Sequence, residues 1–279
     1  MLDLDAYLER IGLPEGGDIK AVHRGHATSI QFENLDPHRG VPVSLATADI
    51  EHKLVAQRRG GYCFEHNLLL GASLQAMGAD VELLLARVRY GAPPGAVRPR
   101  THLVLRVRID GDTWHADVGF GPMSPLEPIP FGPGDEHEQA GWRFRVVPDG
   151  PECVLQVDLE DGWTDLYGFV AQGVPLIDLE TSSWFTSTHP RSPFVTGLIV
   201  SAQRADGLRT SLSDWTELAL TEKTPAETRV TPVTWEEVPD LLATRFALPQ
   251  FGLGADGRIA LVPDGGIPGG AGGGIAREP

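Results

Sequence analysis

Thr101-His-Leu-Val-Leu-Arg-Val-Arg-Ile109, then Asp110-Gly111, then Asp112-Thr-Trp-His-Ala-Asp-Val-Gly-Phe120 is the stretch that decides how this chain folds. Both runs alternate in polarity, as half-buried strands do, and Asp-Gly between them is the strongest short signal for a hairpin. A two-residue type I′ turn sets Ile109 opposite Asp112, Val104 opposite Asp117 and His102 opposite Gly119. Residues two apart share a strand face, so His102 and Asp117 become diagonal neighbours, roughly 7–8 Å apart at Cα. That is within reach of an imidazole–carboxylate hydrogen bond. A three-residue loop would shift the register by one and put the two on opposite faces.

The dyad needs something to act on, and the segment Arg58-Arg59-Gly60-Gly61-Tyr62-Cys63-Phe64-Glu65-His66-Asn67 supplies a thiol. Gly60 and Gly61 allow a tight turn and a close backbone approach to a ligand. Phe64, Leu68, Leu69, Gln75 and Met77 then continue as a helix that stops at Gly78. Cys63 is thereby placed in the first turn, where unpaired N–H groups and the positive end of the helix dipole favour a thiolate, with Arg59 expected to push the same way. Alone, Cys63 reads equally as a small buried hydrophobe. A cysteine with a histidine base that is oriented by an aspartate is, however, the logic of an activated nucleophile. Among the nine histidines, His115 lies next to the turn and His66 follows Cys63 too closely on a helix to face it. His23, His26, His38 and His52 sit among polar residues, where a solvated ring is the default. His102 remains.

Composition narrows the classes. A net charge of −15 argues against nucleic-acid binding, which needs clustered Lys and Arg. No long apolar run and no charged-then-apolar leader stand in the sequence, so neither a membrane partner nor secretion is indicated. Two cysteines, Cys63 and Cys153, make no disulfide scaffold and suit a reducing cytoplasm. The spacing of His, Cys, Asp and Glu suggests no metal.

The chain reads as α+β. Residues 1–80 are mainly helical: Asp3 caps a first helix, Ile19, Val22, His26 and Ile30 space a second, Phe32-Glu-Asn-Leu-Asp36 turns into a loop at Pro37, and a third helix capped by Thr47 delivers Arg58-Arg59. In the second part, residues 81–195, the period switches to two from Val81 to about Gln156, with strands expected at 81–90, in the hairpin, at 142–147, 154–159 and 163–169. Gly119-Phe120-Gly121 reads either as a turn offering N–H donors to a pyrophosphate or as a plain strand exit. Residues 196–262 hold further strands and a closing helix, with Thr234 and Glu237 spaced as a capping box and Pro239 as an alternative first helical residue. Residues 263–279 are Gly-rich and read as a disordered tail.

Arg59-Gly-Gly-Tyr-Cys63-Phe-Glu65-His-Asn67, His102 and Asp117-Val-Gly-Phe-Gly121, with Phe32-Glu-Asn-Leu-Asp36 and Ser187-Thr-His-Pro-Arg-Ser-Pro-Phe194, resemble the arylamine N-acetyltransferase family in order across roughly residues 3–200. The resemblance implies a helical bundle, a central β-barrel and a C-terminal α/β lid around a cysteine-protease-like core, with Cys63, His102 and Asp117 as triad. It also implies ping-pong transfer of acetyl from acetyl-CoA, as co-substrate, to a small arylamine acceptor. The same carry-over sets Phe32, Tyr62, Phe120 and Phe185 at the substrate pocket and Ser187, Thr188 and His189 near the active site or CoA. Ser183 stands where the family often has asparagine. Amide synthases that close ansamycin macrolactams from a polyketide thioester share the triad. A papain- or transglutaminase-like hydrolase and a non-enzymatic binding module with a buried cysteine are the other readings, and homo-oligomerisation stays open.

Overall fold

The computed structural model describes residues 2–93 and 95–262; the Gly-rich segment 263–279, read from sequence as a disordered tail, lies outside the described residues. The chain divides into two compact units, Met1–Val233 and Thr234–Pro279.

The first unit begins with α1 (Leu4–Arg10) and α2 (Ile19–Ser29), each opened by an aspartate whose side chain accepts an N–H two or three residues into the helix: Asp3 from Ala6 at 3.0 Å and Asp18 from Ala21 at 2.8 Å. A two-residue strand β1 (Phe32–Glu33) and a single turn α3 (Leu35–His38) follow. The sequence reading placed Pro37 in a loop. It lies instead in the first turn of α3, where the missing N–H has no helical partner to lose. Next comes α4 (Thr47–Glu51), preceded by Ala46, so Thr47 is the first helical residue and caps nothing. A π-helical turn over His52–Ala56 leads towards α5 (Cys63–Ala76), which ends before Gly78 at φ +93°.

Eight strands then form one antiparallel sheet curled into a nearly closed barrel: β2 (Asp80–Val88), β3 (Arg100–Ile109), β4 (Asp112–Ala116), β5 (Ile129–Pro130), β6 (His137–Gln139), β7 (Trp142–Asp149), β8 (Glu152–Leu159) and β9 (Gly162–Phe169), in the order β5-β4-β3-β2-β9-β8-β7-β6. The hairpin is in the expected register. Ile109 pairs with Asp112 and Leu105 with Ala116, around Asp110 at φ +53° and Gly111 at φ +88°, the two positive angles of a type I′ turn. Strand β3 is buried on both faces. Leu103, Leu105 and Val107 join the helical core with Leu69, Leu70 and Leu74, while Val104 joins the barrel interior with Leu84, Trp142, Phe144 and Tyr167.

After the barrel, α6 (Leu176–Thr188) and α7 (Pro193–Thr196) precede β10 (Ile199–Gln203), β11 (Arg209–Ser213), β12 (Ala219–Lys223) and β13 (Thr228–Pro232). These four strands extend β1, Phe32 pairing with Ser201 and Glu33 with Val200. In the second unit, Thr234 and Glu237 form the expected capping box before α8 (Val238–Phe246), with Pro239 in the first turn. A hairpin, β14 (Phe251–Leu253) and β15 (Ile259–Leu261), which the sequence reading did not foresee, completes it. No described helix is long and apolar enough to cross a membrane.

Besides His102, four histidines lie in the interior, two of which the sequence reading left in solvent. His23 and His26 are fully buried, as are His66 and His115. Polar neighbours along α2 do not put its inner face in water. His26 and His66 belong to a one-way chain: Tyr7 O–H donates to His26 Nδ1 at 2.9 Å, His26 Nε2–H to His66 Nδ1 at 2.9 Å, and His66 Nε2–H to the Gln31 carbonyl at 3.0 Å. Every acceptor nitrogen is used, and a proton added to either ring would have to displace a donor.

Two stability predictions follow from these features. Burial pushes the pKa of His23, His66 and His115 down to about 4 from 6.5 in the unfolded chain, and holds that of His26 well below its usual value. Groups depressed in this way stabilise fully above pH 6.5, and each loses up to about 1.4 kcal/mol per pH unit as the pH falls towards 4. His102, raised to about 10, has the opposite sign: its contribution is present below pH 6.5 and is lost as the pH rises towards 10. Urea midpoints are therefore expected to drop steeply between pH 6.5 and 4.5; a flat profile there would mean the four rings are already charged in the fold. At the hairpin, Gly111 has open space around a built Cβ, so Gly111→Ala costs only backbone strain, about 1–2 kcal/mol. The same denaturation measurement reads it.

Candidate active site

Cys63 is the first residue of α5 and is 3% exposed. The loop before it is held by backbone pairing to β1, with Glu33 N–H donating to the Gly61 carbonyl at 2.7 Å and Gly61 N–H to the Gln31 carbonyl at 3.3 Å. The two glycines are required here by crowding. A Cβ on Gly60 would lie 2.1 Å from the Gln31 carbonyl oxygen, and one on Gly61 would lie 2.6 Å from Glu65 Oε2. The close approach expected towards a ligand is thus made towards the chain itself. Glu65 Oε2 accepts the Tyr62 N–H at 3.1 Å, closing the start of the helix.

Charged residues of the two neighbouring motifs meet beneath this loop. Arg59 reaches Glu33 Oε1 at 3.1 Å and Asp36 Oδ1 at 2.8 Å, and Lys53 reaches Asp36 Oδ2 at 2.8 Å and Glu65 Oε1 at 2.7 Å. The expectation that Arg59 would support a thiolate at Cys63 is corrected by this pairing: its guanidinium serves the buried carboxylates.

Across from Cys63, His102 Nε2–H donates to Asp117 Oδ2 at 2.7 Å. That leaves Nδ1 for the thiol, with which His102 also hydrogen-bonds. The Cys63 Sγ lies 3.7 Å from the Thr101 carbonyl oxygen. Burial lowers the His102 pKa, but the Asp117 charge, their hydrogen bond and Cys63 outweigh it and carry the pKa up to about 10. Burial would likewise raise Asp117; His102, Asn67 and Tyr167 instead hold it well below the usual carboxylate range. Both shifts favour the charged pair.

Asp117 is gripped from several elements. Asn67, one turn after Cys63 on α5, donates through Nδ2 to Asp117 Oδ1 at 2.8 Å and to the Leu103 carbonyl at 2.6 Å, and accepts the Val118 N–H at 3.0 Å. The Gly119 N–H donates to Oδ1 at 2.8 Å. The Asp117 N–H donates to His23 Nε2 at 3.1 Å, while His23 Nδ1–H donates to the Leu126 carbonyl at 3.0 Å. Gly119 lets the strand exit and α5 come into contact, since a Cβ there would lie 2.7 Å from Cys63 Cα.

The remaining predicted residues divide. Phe120 packs edge-on against His102, centroids 5.0 Å apart, with Tyr167 at 4.8 Å from the same imidazole. Phe32 and Tyr62 converge on Phe194, at 6.1 and 6.0 Å. Phe185 stacks on His189, centroids 4.5 Å apart. The aromatic that joins Phe32 and Tyr62 is thus Phe194. The N–H groups of Gly119 and Phe120 are turned inward, to Asp117 and to Ser124 Oγ at 2.6 Å, so neither is offered to a pyrophosphate; Gly121 instead turns at φ +62° against the Phe32 ring. Ser187 and Thr188 donate to the carbonyls of Ser183 and Trp184, at 2.8 and 2.5 Å, within α6. Their hydroxyl protons are spent on the helix. His189 Nδ1 accepts the Arg191 N–H at 3.2 Å. Ser183, where the family often has asparagine, bonds the Tyr62 hydroxyl.

Asn67, Tyr167, His115, His23 and Phe194 were not singled out from sequence. Asn67 had a signal: it stands four residues after Cys63, on the same face of the helix.

Comparison with known proteins agrees with this architecture. A family profile described as N-acetyltransferase matches residues 17–250. An arylamine N-acetyltransferase of Mycolicibacterium smegmatis is 41% identical over 214 residues, covering 74% of this chain and 78% of that protein. One from Mycobacterium tuberculosis is 37% identical over 267 residues, covering 92% and 93%. Among solved structures, the Mycobacterium marinum arylamine N-acetyltransferase in complex with CoA superposes with a TM-score of 0.82 at 38% identity, covering 88% of this chain and 93% of that one. With the helical start, the nearly closed barrel and these relatives together, the chain belongs to the arylamine N-acetyltransferase family.

Proposed function

We propose that this protein transfers an acetyl group from acetyl-CoA to the amino group of an arylamine or arylhydrazine, in two displacements through a thioester on Cys63. The observation that carries the reading is the buried line of hydrogen bonds from Cys63 through His102 to Asp117. Cys63, as thiolate beside protonated His102, attacks the thioester carbonyl; the CoA sulfur leaves and takes the proton from His102 Nδ1. An amine then attacks the acetyl-Cys63 carbonyl, His102 Nδ1 removes its proton, and the Cys63 sulfur is released. Asp117 holds the ring with Nδ1 towards the sulfur and stabilises the imidazolium. The N–H of Cys63, at a helix start with no intrahelical acceptor, is the candidate donor to the tetrahedral oxyanion.

Phe32, Tyr62, Phe120 and Phe194 form the aromatic surroundings expected for an arylamine ring. A groove of about 610 Å³ lies where β2 and β3 continue past the paired Ala86 and His102, lined by Arg87, Arg89 and Arg98 and by Glu152 and Asp165, with which Arg87 and Arg89 are paired. CoA as donor is supported by the family, whose Mycobacterium marinum member is solved in complex with CoA.

Intact-protein mass spectrometry after brief mixing with acetyl-CoA, without amine, is expected to show one added acetyl group, absent in Cys63→Ala and discharged by an arylamine. An unmodified wild-type protein would redirect the donor assignment to another acyl thioester. Asp117→Asn is expected to keep the fold and slow the acetylation step by about 10²–10⁴-fold, through loss of the tautomer and of imidazolium stabilisation. A rate within a few-fold of wild type would remove Asp117 from the mechanism.

A further inference from the structure

Beside Asp117 stand two groups that the transfer chemistry does not use, one of them, Tyr167, packed against the His102 ring. Tyr167 on β9 hydrogen-bonds through its hydroxyl to the Asp117 carboxylate. The same hydroxyl lies 2.8 Å from His115 Nε2 on β4. His115 is 1% exposed and stacks on Phe169, centroids 4.8 Å apart and planes 23° apart. Its Nδ1 is buried and has no hydrogen-bond partner.

Donor and acceptor counting settles who gives each proton. Asp117 is held ionised, and an ionised carboxylate only accepts. The single Tyr167 hydroxyl proton must therefore point at Asp117. Its oxygen can then face His115 Nε2 only as an acceptor, so Nε2 carries a hydrogen. A neutral ring with Nε2–H leaves only a bare acceptor at the unpartnered Nδ1, whereas the Nδ1–H tautomer would bury an unpaired donor there. The charged ring would leave a buried N–H without a partner, costlier than a bare acceptor, and burial favours the neutral form in the same direction.

We infer that His115 is a positioning residue for the acetyl transfer: its Nε2–H occupies the Tyr167 oxygen, aims the Tyr167 proton at Asp117, and so sets the carboxylate that orients His102. This rests on the reading of Asp117 as the group that orients the base. Without His115, the Tyr167 hydroxyl is free to turn from Asp117, and the carboxylate loses one of its charge-assisted hydrogen bonds. The leucine-sized alternative, His115→Leu, keeps the apolar packing and loses the donor. His115→Gln can restore an N–H at about the Nε2 position.

The test combines a double-mutant cycle with direct observation of the ring. Single-turnover acetylation of Cys63 by acetyl-CoA is expected to slow by about 5–20-fold in His115→Leu and to return to within about 3-fold of wild type in His115→Gln, on the scale of one buried hydrogen bond. In a Tyr167→Phe background, His115→Leu is expected to change the rate by less than about 2-fold, since there is no hydroxyl left to orient. Equal losses in both backgrounds would assign the effect to core packing and overturn the inference, as would a wild-type rate in His115→Leu. Nitrogen-15 histidine NMR of the wild-type protein gives a second arm that needs neither a variant nor turnover. It is expected to find His115 neutral with the proton on Nε2; a proton on Nδ1 overturns the inference even if acetyl transfer is established. Conversely, the Nε2–H form without acetylation of Cys63 would leave the hydrogen-bond line intact and fail the proposed reaction alone.

Discussion

An ionised carboxylate with no exposure to water is costly in a protein interior unless every lone pair is answered, and the barrel and helices are arranged around answering those of Asp117. His102 comes from β3, Asn67 from α5, the Gly119 N–H from the chain just beyond, and the Tyr167 hydroxyl from β9. His23 on α2 takes the backbone N–H of the same residue. Each donor lies on a different element, so the carboxylate acts as a peg on which helices and strands are hung in one mutual position. The thiol sits beside the imidazole because Asn67 and Cys63 share a helix face, and Gly119 lets that helix come within contact of the strand exit.

A second buried charge cluster, of Arg59 and Lys53 with Glu33, Asp36 and Glu65, does the same for the loop before Cys63. Its members come from the two motifs and, for Lys53, from the helical turn between them, two cations set among three carboxylates. Removing one partner would strand the others without solvent, the circumstance in which buried pairs are costly to break, by about 3–5 kcal/mol. The cluster thus makes the loop's conformation strict without itself touching the reacting groups.

How much of this could be read beforehand depended on whether local chemistry determines the geometry. Asp110-Gly111 forces a type I′ turn, and a turn of known length dictates register, so the meeting of His102 and Asp117 was legible residue by residue. Gly60-Gly61 and Cys63 were legible as a helix start. What escaped was set by distant packing. The hydroxyls and aromatics of α6 gave no strong period, so its helix, and with it the stacking of Phe185 on His189 and the bonds of the Ser187 and Thr188 hydroxyls to the helix's own carbonyls, was not visible. His23 and His26 have polar neighbours in sequence but face the core in space. Phe194 joins Phe32 and Tyr62 only because the chain returns after the barrel, and the Gly119 and Phe120 N–H groups looked available until their acceptors, Asp117 and Ser124, were in place.

The smallest strand has a consequence for how the protein comes into being. Strand β1 is two residues long, yet it is the edge of the C-terminal sheet, and Asn34 beside it donates to the Phe194 and Gly197 carbonyls and accepts the Ile199 N–H across a sequence separation of 165 residues. A growing chain emerging from the ribosome therefore carries its N-terminal helices and thiol loop well before the segment that pins them. Closing so long a loop is slow and entropically expensive. The pairing that anchors β1, and through it the loop before Cys63, is therefore completed only after β10 has been made.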